Sequence, residues 1–160
     1  MRIIIIIIVG LVAFIGSCKP EPKTTLVLEF YNTSSANILV NKYIKGNSVL
    51  LMNLSSGQHW NSQSYSAMGR GVSSVFQYAL TADSLVVVFN DSLRIVHLVQ
   101  VEGSFSSSQF DDRADIFWLD NPRNLKNLNS YILDHINEES VRARYEFTES
   151  DLEHAISIYE

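Results

Sequence analysis

Apolar and polar positions alternate with period two along most of this chain, and the alternation gives way to helical spacing only near its C-terminal end. Leu26, Leu28 and Phe30 share one face of a strand expected over residues 24–31. The polar cluster Asn32-Thr33-Ser34-Ser35 turns the chain into a second strand, Ile38–Ile44, and Gly46-Asn47 turns it again into a third over residues 49–54. Residues 55–70 are rich in Ser, Asn, Gln and Gly, carry Trp60, Tyr65 and Met68, and read as a long loop. Residues 72–80 read as a further strand. The clearest element is the pair Ser84–Phe89 and 92–101: two β-branched runs joined by Asn90-Asp91, residues that tolerate positive φ, predict a tight hairpin. Both faces of residues 85–89 are apolar, which predicts a central strand covered on both sides.

Beyond a polar loop at 103–115, residues 115–119 form a short aromatic strand that Asn121-Pro122 ends, and 124–129 is an Asn-rich connector. Val141, Ala143, Tyr145 and Phe147 alternate with Arg142, Arg144, Glu146 and Thr148, the signature of a half-exposed antiparallel strand. Thr148-Glu149-Ser150-Asp151 then has the form of a capping box, and Leu152, Ala155, Ile156 and Tyr159 follow at helical spacing. The pattern predicts a mainly β fold: an antiparallel β-sandwich of about seven to nine strands with one short C-terminal helix, since crossover helices for a parallel sheet are missing. At 160 residues, without an internal repeat, the chain suits one domain.

The first residues follow another rule. Met1-Arg2 precedes an apolar run, residues 3–15, broken only by Gly10. A basic start, an apolar stretch of about 13 residues and small residues at its end make a secretory signal peptide. Lys19 cuts the run short of the roughly 20 residues a helix needs to cross a bilayer. Ile15-Gly16-Ser17-Cys18 resembles the bacterial lipobox: an aliphatic residue, two small ones and a cysteine. That resemblance implies a diacylglycerol thioether on Cys18, cleavage just before it and N-acylation with a palmitate-type chain. At ~0.8 kcal/mol per buried methylene, two or three such chains hold a protein on a membrane. Cys18 is the sole cysteine, so it has no disulfide partner within the chain. The expected organisation is a signal peptide at 1–17, the lipidated Cys18 with an extended Pro-containing tether at 18–23, and one β-rich domain at 24–160. Cleavage takes the formal charge from -5 to -6, because Arg2 leaves with the signal.

Asp-Ser-Leu-Val-Val-Val-Phe-Asn-Asp at 83–91, Ser-Tyr-Ile at 130–132 and Tyr-Glu-Phe-Thr-Glu-Ser-Asp-Leu-Glu-His-Ala at 145–155 resemble stretches of small lipoproteins of Bacteroidota. The resemblance covers the signal and the C-terminal half. It implies a lipid-anchored envelope location, with the outer membrane favoured because Lys19 stands where inner-membrane retention signals carry Asp, and it brings no activity with it. The same context makes Asp83-Ser84-Leu85 and Asp91-Ser92-Leu93 candidate O-glycosylation sites at Ser84 and Ser92, against a second reading as ordinary turn chemistry before a strand.

Candidate chemistry is sparse. His59, His97, His135 and His154 form no metal-ligand spacing, and Asp111-Asp112-Arg113-Ala114-Asp115 lacks the pattern of a calcium loop. No nucleophile elbow or phosphate-binding glycine loop is present, and scattered basic residues in an acidic chain argue against nucleic acid as a partner. No cofactor is expected. Trp60 and Tyr65 can either stack on a sugar or partner, or fold back to cap the sandwich. The expectation is therefore a non-enzymatic, lipid-anchored protein with a structural or binding role and an envelope protein or glycan as partner. A carbohydrate- or peptide-binding accessory lipoprotein and an envelope hydrolase, its site assembled only by folding, are the alternatives.

Overall fold

A computed structural model of the chain describes residues 21–99 and 115–158. Cys18, the expected signal segment and most of the loop expected at 103–115 lie outside the described residues. The rest forms two facing sheets, as the alternation predicts. Eleven strands are described: β1 Lys23–Asn32, β2 Ile38–Ile44, β3 Asn47–Leu54, β4 His59–Asn61, β5 Tyr65–Met68, β6 Ser84–Phe89, β7 Leu93–Leu98, β8 Ile116–Phe117, β9 Ile132–Asn137, β10 Ser140–Phe147 and β11 Ile156–Ser157. The helices are α1 Val72–Ala79 and α2 Glu149–Glu153, with one 3-10 turn at Leu128–Ser130. Seven strands are six residues or longer, and the others are short pieces completing sheet edges.

The first sheet runs β4-β1-β10-β9, with β5 also on β1; the second runs β11-β7-β6-β2-β3, with β8 on β7. Inward residues of β1 (Leu26, Leu28, Phe30) and β10 (Val141, Ala143, Tyr145, Phe147) meet Ile38, Val40, Met52, Leu54, Leu85, Val87, Phe89 and Ile95 of the other sheet. Each such side chain contributes about 1.5–3 kcal/mol on burial. On the outer face of the first sheet, Arg142 pairs with Glu29 at 2.9 Å and Arg144 lies over the Tyr31 ring at 5.8 Å.

Several sequence expectations are corrected. The pairing is not wholly antiparallel: β1 and β10 run parallel, Leu26 opposite Val141 and Phe30 opposite Tyr145, and β7 and β8 are also parallel. A chain can close its first described strand onto β10 in this way because the elements between them form the crossover. Residues 72–80 are helix rather than strand. Val72, Val75, Phe76 and Ala79 recur at helical spacing, and the buried Phe76 packs edge-on to Tyr131 at 5.0 Å. The expected loop at 55–70 contains β4 and β5, which pair with the free side of β1. In β6, Leu85, Val87 and Phe89 are buried but Val86 and Val88 are only half-buried, so the strand is central yet not sealed on both faces. The C-terminal helix stops at Glu153, and Ile156 joins β7 instead of extending it.

The hairpin stands as read: Asn90 and Asp91 have φ of 48° and 57° between β6 and β7. Asp151 also closes the capping box, its Oδ2 accepting the Thr148 N–H at 2.8 Å.

Candidate functional site

The polar turn cluster after β1 becomes the most heavily braced part of the molecule. Asn32 is buried, and its Nδ2 donates to the carbonyls of Ala36 at 2.7 Å and Leu54 at 3.1 Å. Its Oδ1 accepts the Ser34 hydroxyl at 2.7 Å and the Ser34 N–H at 3.1 Å. One carboxamide thus joins the β1–β2 loop to the end of β3 with all its hydrogen-bonding capacity used. The Ser56 hydroxyl donates to Ser34 O at 2.7 Å, and Gly57 N to Asn32 O at 2.8 Å. Asn90 Oδ1 accepts the Asn37 N–H at 2.8 Å, while Asn90 N donates to Asn37 O at 2.9 Å. Ser35 N donates to the Glu149 carboxylate. Four separate loops are locked into one surface.

Between them lies a shallow depression of about 190 Å³, lined by Asn37, Ile38, Leu39, Asn53, Ser55 and Asp91. The bracing runs through Asn32, Ser34, Ser56, Asn90 and the backbone, so the lining side chains can vary without dismantling the loops. The lining offers carboxamides, a hydroxyl and one carboxylate, and no cationic side chain. Such a surface suits a neutral ligand rich in hydroxyls or amides and disfavours an anion.

The residues singled out in the sequence are dispersed. Trp60 lies in β4 opposite Phe30, its ring 5.8 Å from the Phe30 ring, and Tyr65 lies in β5 opposite Leu26 and meets Tyr78 edge-on at 6.5 Å. Both are partly buried against the core, where they close one edge of it. Neither lines the depression. Ser84 starts β6 and Ser92 sits in the hairpin turn, at opposite ends of one strand. Asp83, just before Ser84, is already engaged, its Oδ2 accepting the Lys45 N–H; Asp91, just before Ser92, is exposed.

The perturbed titratable groups are also tied into the fold. His97 is fully buried, and desolvation first, then the Arg123 charge, pull its pKa down to about 3. Its neutral ring accepts the Leu125 N–H at Nδ1, 3.1 Å away, and stands edge-on to Phe117 at 5.2 Å. Its Nε2 has no hydrogen-bond partner among the described residues. Lys126 donates from Nζ to Leu80 O and, at 3.2 Å, to Ala82 O, so a cation caps the C-terminal end of α1. Burial outweighs the attraction of Asp83 and takes its pKa down to about 8. Arg123 clasps the buried Asp151 through two nitrogens, Nε to Oδ1 at 2.9 Å and Nη2 to Oδ2, and lies 4.6 Å from the Tyr145 ring centre. Burial also raises the Tyr145 pKa well above the usual phenol range, and its hydroxyl donates to Arg123 O at 2.8 Å. His97, Tyr145 and Arg123 tie the irregular segment 118–131 to the first and second sheets and to α2, and Lys126 ties it to the end of α1. Among the described residues no three His, Cys, Asp or Glu side chains come together as metal ligands.

Sequence reasoning passed over Asn32, Asn37, Asn53, Ser55 and Asp91 as a group. The Asn32-Thr33-Ser34 cluster signalled a side-chain-bonded turn, but no local pattern joins it to residues 53–56 and 90–91. The geometry defines a lean β-sandwich with one rigid polar loop surface. No family model matches the chain, and neither a curated protein nor a solved structure matches it.

Proposed function

We propose that this chain is a lipid-anchored protein of the bacterial cell envelope, held by acyl chains on Cys18, that acts by binding rather than by catalysis. The lipobox-like sequence supports the anchor. The observation that carries the binding role is the braced Asn32 end: loops held this tightly present their outward side chains with little conformational entropy left to lose on binding. Lys126 and Arg123, whose environments would otherwise mark them as chemical actors, are each engaged by a backbone or carboxylate partner, and His97 is buried with its Nδ1 bonded to the Leu125 N–H. Intact mass of the protein extracted from its native membrane tests the anchor. A chain beginning at Cys18 with two or three acyl chains is expected, and an unmodified 160-residue mass would remove the reading. A further hexose-scale increment would point to glycosylation at Ser92, whose neighbouring Asp91 is exposed, ahead of Ser84.

The polar lining of the depression favours a glycan as the ligand, at the Asn32 end and not at Trp60 and Tyr65. A glycan array probed with the detergent-solubilised lipoprotein tests this. Signal lost in Asp91→Ala and Asn53→Ala but kept in Trp60→Ala is expected; the reverse would move the site to the aromatic edge.

A further inference from the structure

We propose that the opposite end of the first sheet, where β1 begins, rests on the lipid surface through Met68 and Ile136, so that the loop surface at the Asn32 end points away from the membrane. This rests on lipidation of Cys18 and adds the orientation of the domain to it.

The entry of the chain into the fold is well defined. Pro22 O accepts the Gly69 N–H at 3.0 Å, and Lys23 pairs with Met68 at the end of β5. The Thr25 N–H donates to Glu139 O at 2.6 Å, which places the β9–β10 turn beside this entry point. Only Lys19, Pro20 and Glu21 separate Cys18 from Pro22. Four residue steps reach about 14 Å at full extension, so an acylated Cys18 keeps Pro22 within that distance of the headgroups and Gly69 one hydrogen bond further. The ten residues of β1 then carry the chain about 30 Å further, to Asn32.

Tilt is decided by which surface gains most from lipid. Met68 is 69% exposed and Ile136 55% exposed, and both sit at the entry end, whereas the comparably exposed Leu50 and Val49 lie on β3 at the edge of the second sheet and Tyr78, 71% exposed, lies on α1. Placing them among headgroups recovers apolar area that water otherwise solvates. The outer face of the first sheet carries Arg142, Glu29, Arg144 and Glu146, charges that favour water over lipid. Lys23 and Arg70 at the entry end are offset by Glu21, Glu138 and Glu139, so the contact depends on the two apolar side chains and the anchor, and anionic lipid adds nothing to it. Ile132, also exposed, lies at the other end of β9 and is the position that a domain lying on its edge would submerge.

The test uses the full lipoprotein in phosphatidylcholine vesicles that carry a nitroxide on the acyl chain near the headgroup. Single cysteines at Met68, Ile136, Ile132, Ser35 and Asp91 are labelled with a maleimide fluorophore. Loss of fluorescence at positions 68 and 136, with none at 35 and 91 and little at 132, is the expected result. Quenching at 132 equal to that at 136 would mean that the domain lies on its β9 edge. Quenching at 35 or 91 would mean that the loop end faces the bilayer, and either result overturns the orientation. The protein without an added cysteine separates this failure from failure of the anchor. A thioether at Cys18 takes no maleimide, whereas labelling there, with no retention on vesicles, overturns lipidation and the orientation together.

Discussion

The two ends of β1 are built differently. At the Asn32 end, side chains and backbone from four loops close a hydrogen-bond network around one buried carboxamide. At the Lys23 end, the strand is held by backbone bonds to Gly69 and Glu139 and by the Thr25–Ser66 hydroxyl pair at 3.0 Å, and exposed apolar side chains stand at the rim. A buried network gives a fixed shape, because every polar group inside it costs free energy if displaced. An open rim gives none, but it can adapt to a fluid surface. The proposed anchoring and the proposed binding would each use one of these two ends.

The largest expected effect of a single change falls on the braced end. Asn32→Ala leaves Leu54 O, Ala36 O and Ser34 without their partner in a dry site, and the loss is about 3 kcal/mol by denaturant unfolding. A loss below about 1 kcal/mol would show that the loops do not depend on this residue. Trp60→Ala, removing a half-buried ring from the edge of the core, is expected to cost about 2 kcal/mol while leaving ligand binding at the Asn32 end unchanged.

Acid supplies a comparable test in the body of the domain. His97 has a folded pKa of about 3, below its unfolded value of 6.5, so the unfolded chain binds the extra proton first as pH falls. The stability this group contributes is complete above pH 6.5 and drains away below it, by about 2 kcal/mol between pH 7.5 and pH 5. Unfolding midpoints across that range for the native protein and for His97→Asn check this; equal slopes in the two would exclude His97 as the source. The smallest effects belong to the rim. Met68→Ser should change stability by less than about 0.5 kcal/mol, since its side chain is largely exposed, yet weaken the quenching seen from a label at position 136. A large loss of stability would instead make Met68 part of the core.

How far the sequence reached follows from how local each pattern is. Alternation in β1, β2 and β10, the Asn90-Asp91 turn and the Asp151 capping box depend on neighbours within a few residues, and they were legible for that reason. Residues 72–80 misled because Val75 and Phe76, both buried, also fit a short apolar strand, and only packing on Tyr131 makes them helical. The β4 and β5 segments were illegible because three or four residues carry no periodicity; they become strands by completing the free edge of β1.

The chain by itself determines the two-sheet character, through a period that puts every second side chain on a buried face. The proposed anchor also rests on the sequence alone, because the lipobox-like pattern ending at Cys18 lies along one linear stretch. Tertiary structure alone decided that the first strand pairs in parallel with β10, that Asn32 serves as a brace and that residues 37, 53, 55 and 91 share one depression. These depend on contacts between residues up to 115 positions apart, as Leu26 and Val141 are, and hydrogen bonding at that range is set by how the sheets close, which no local spacing encodes.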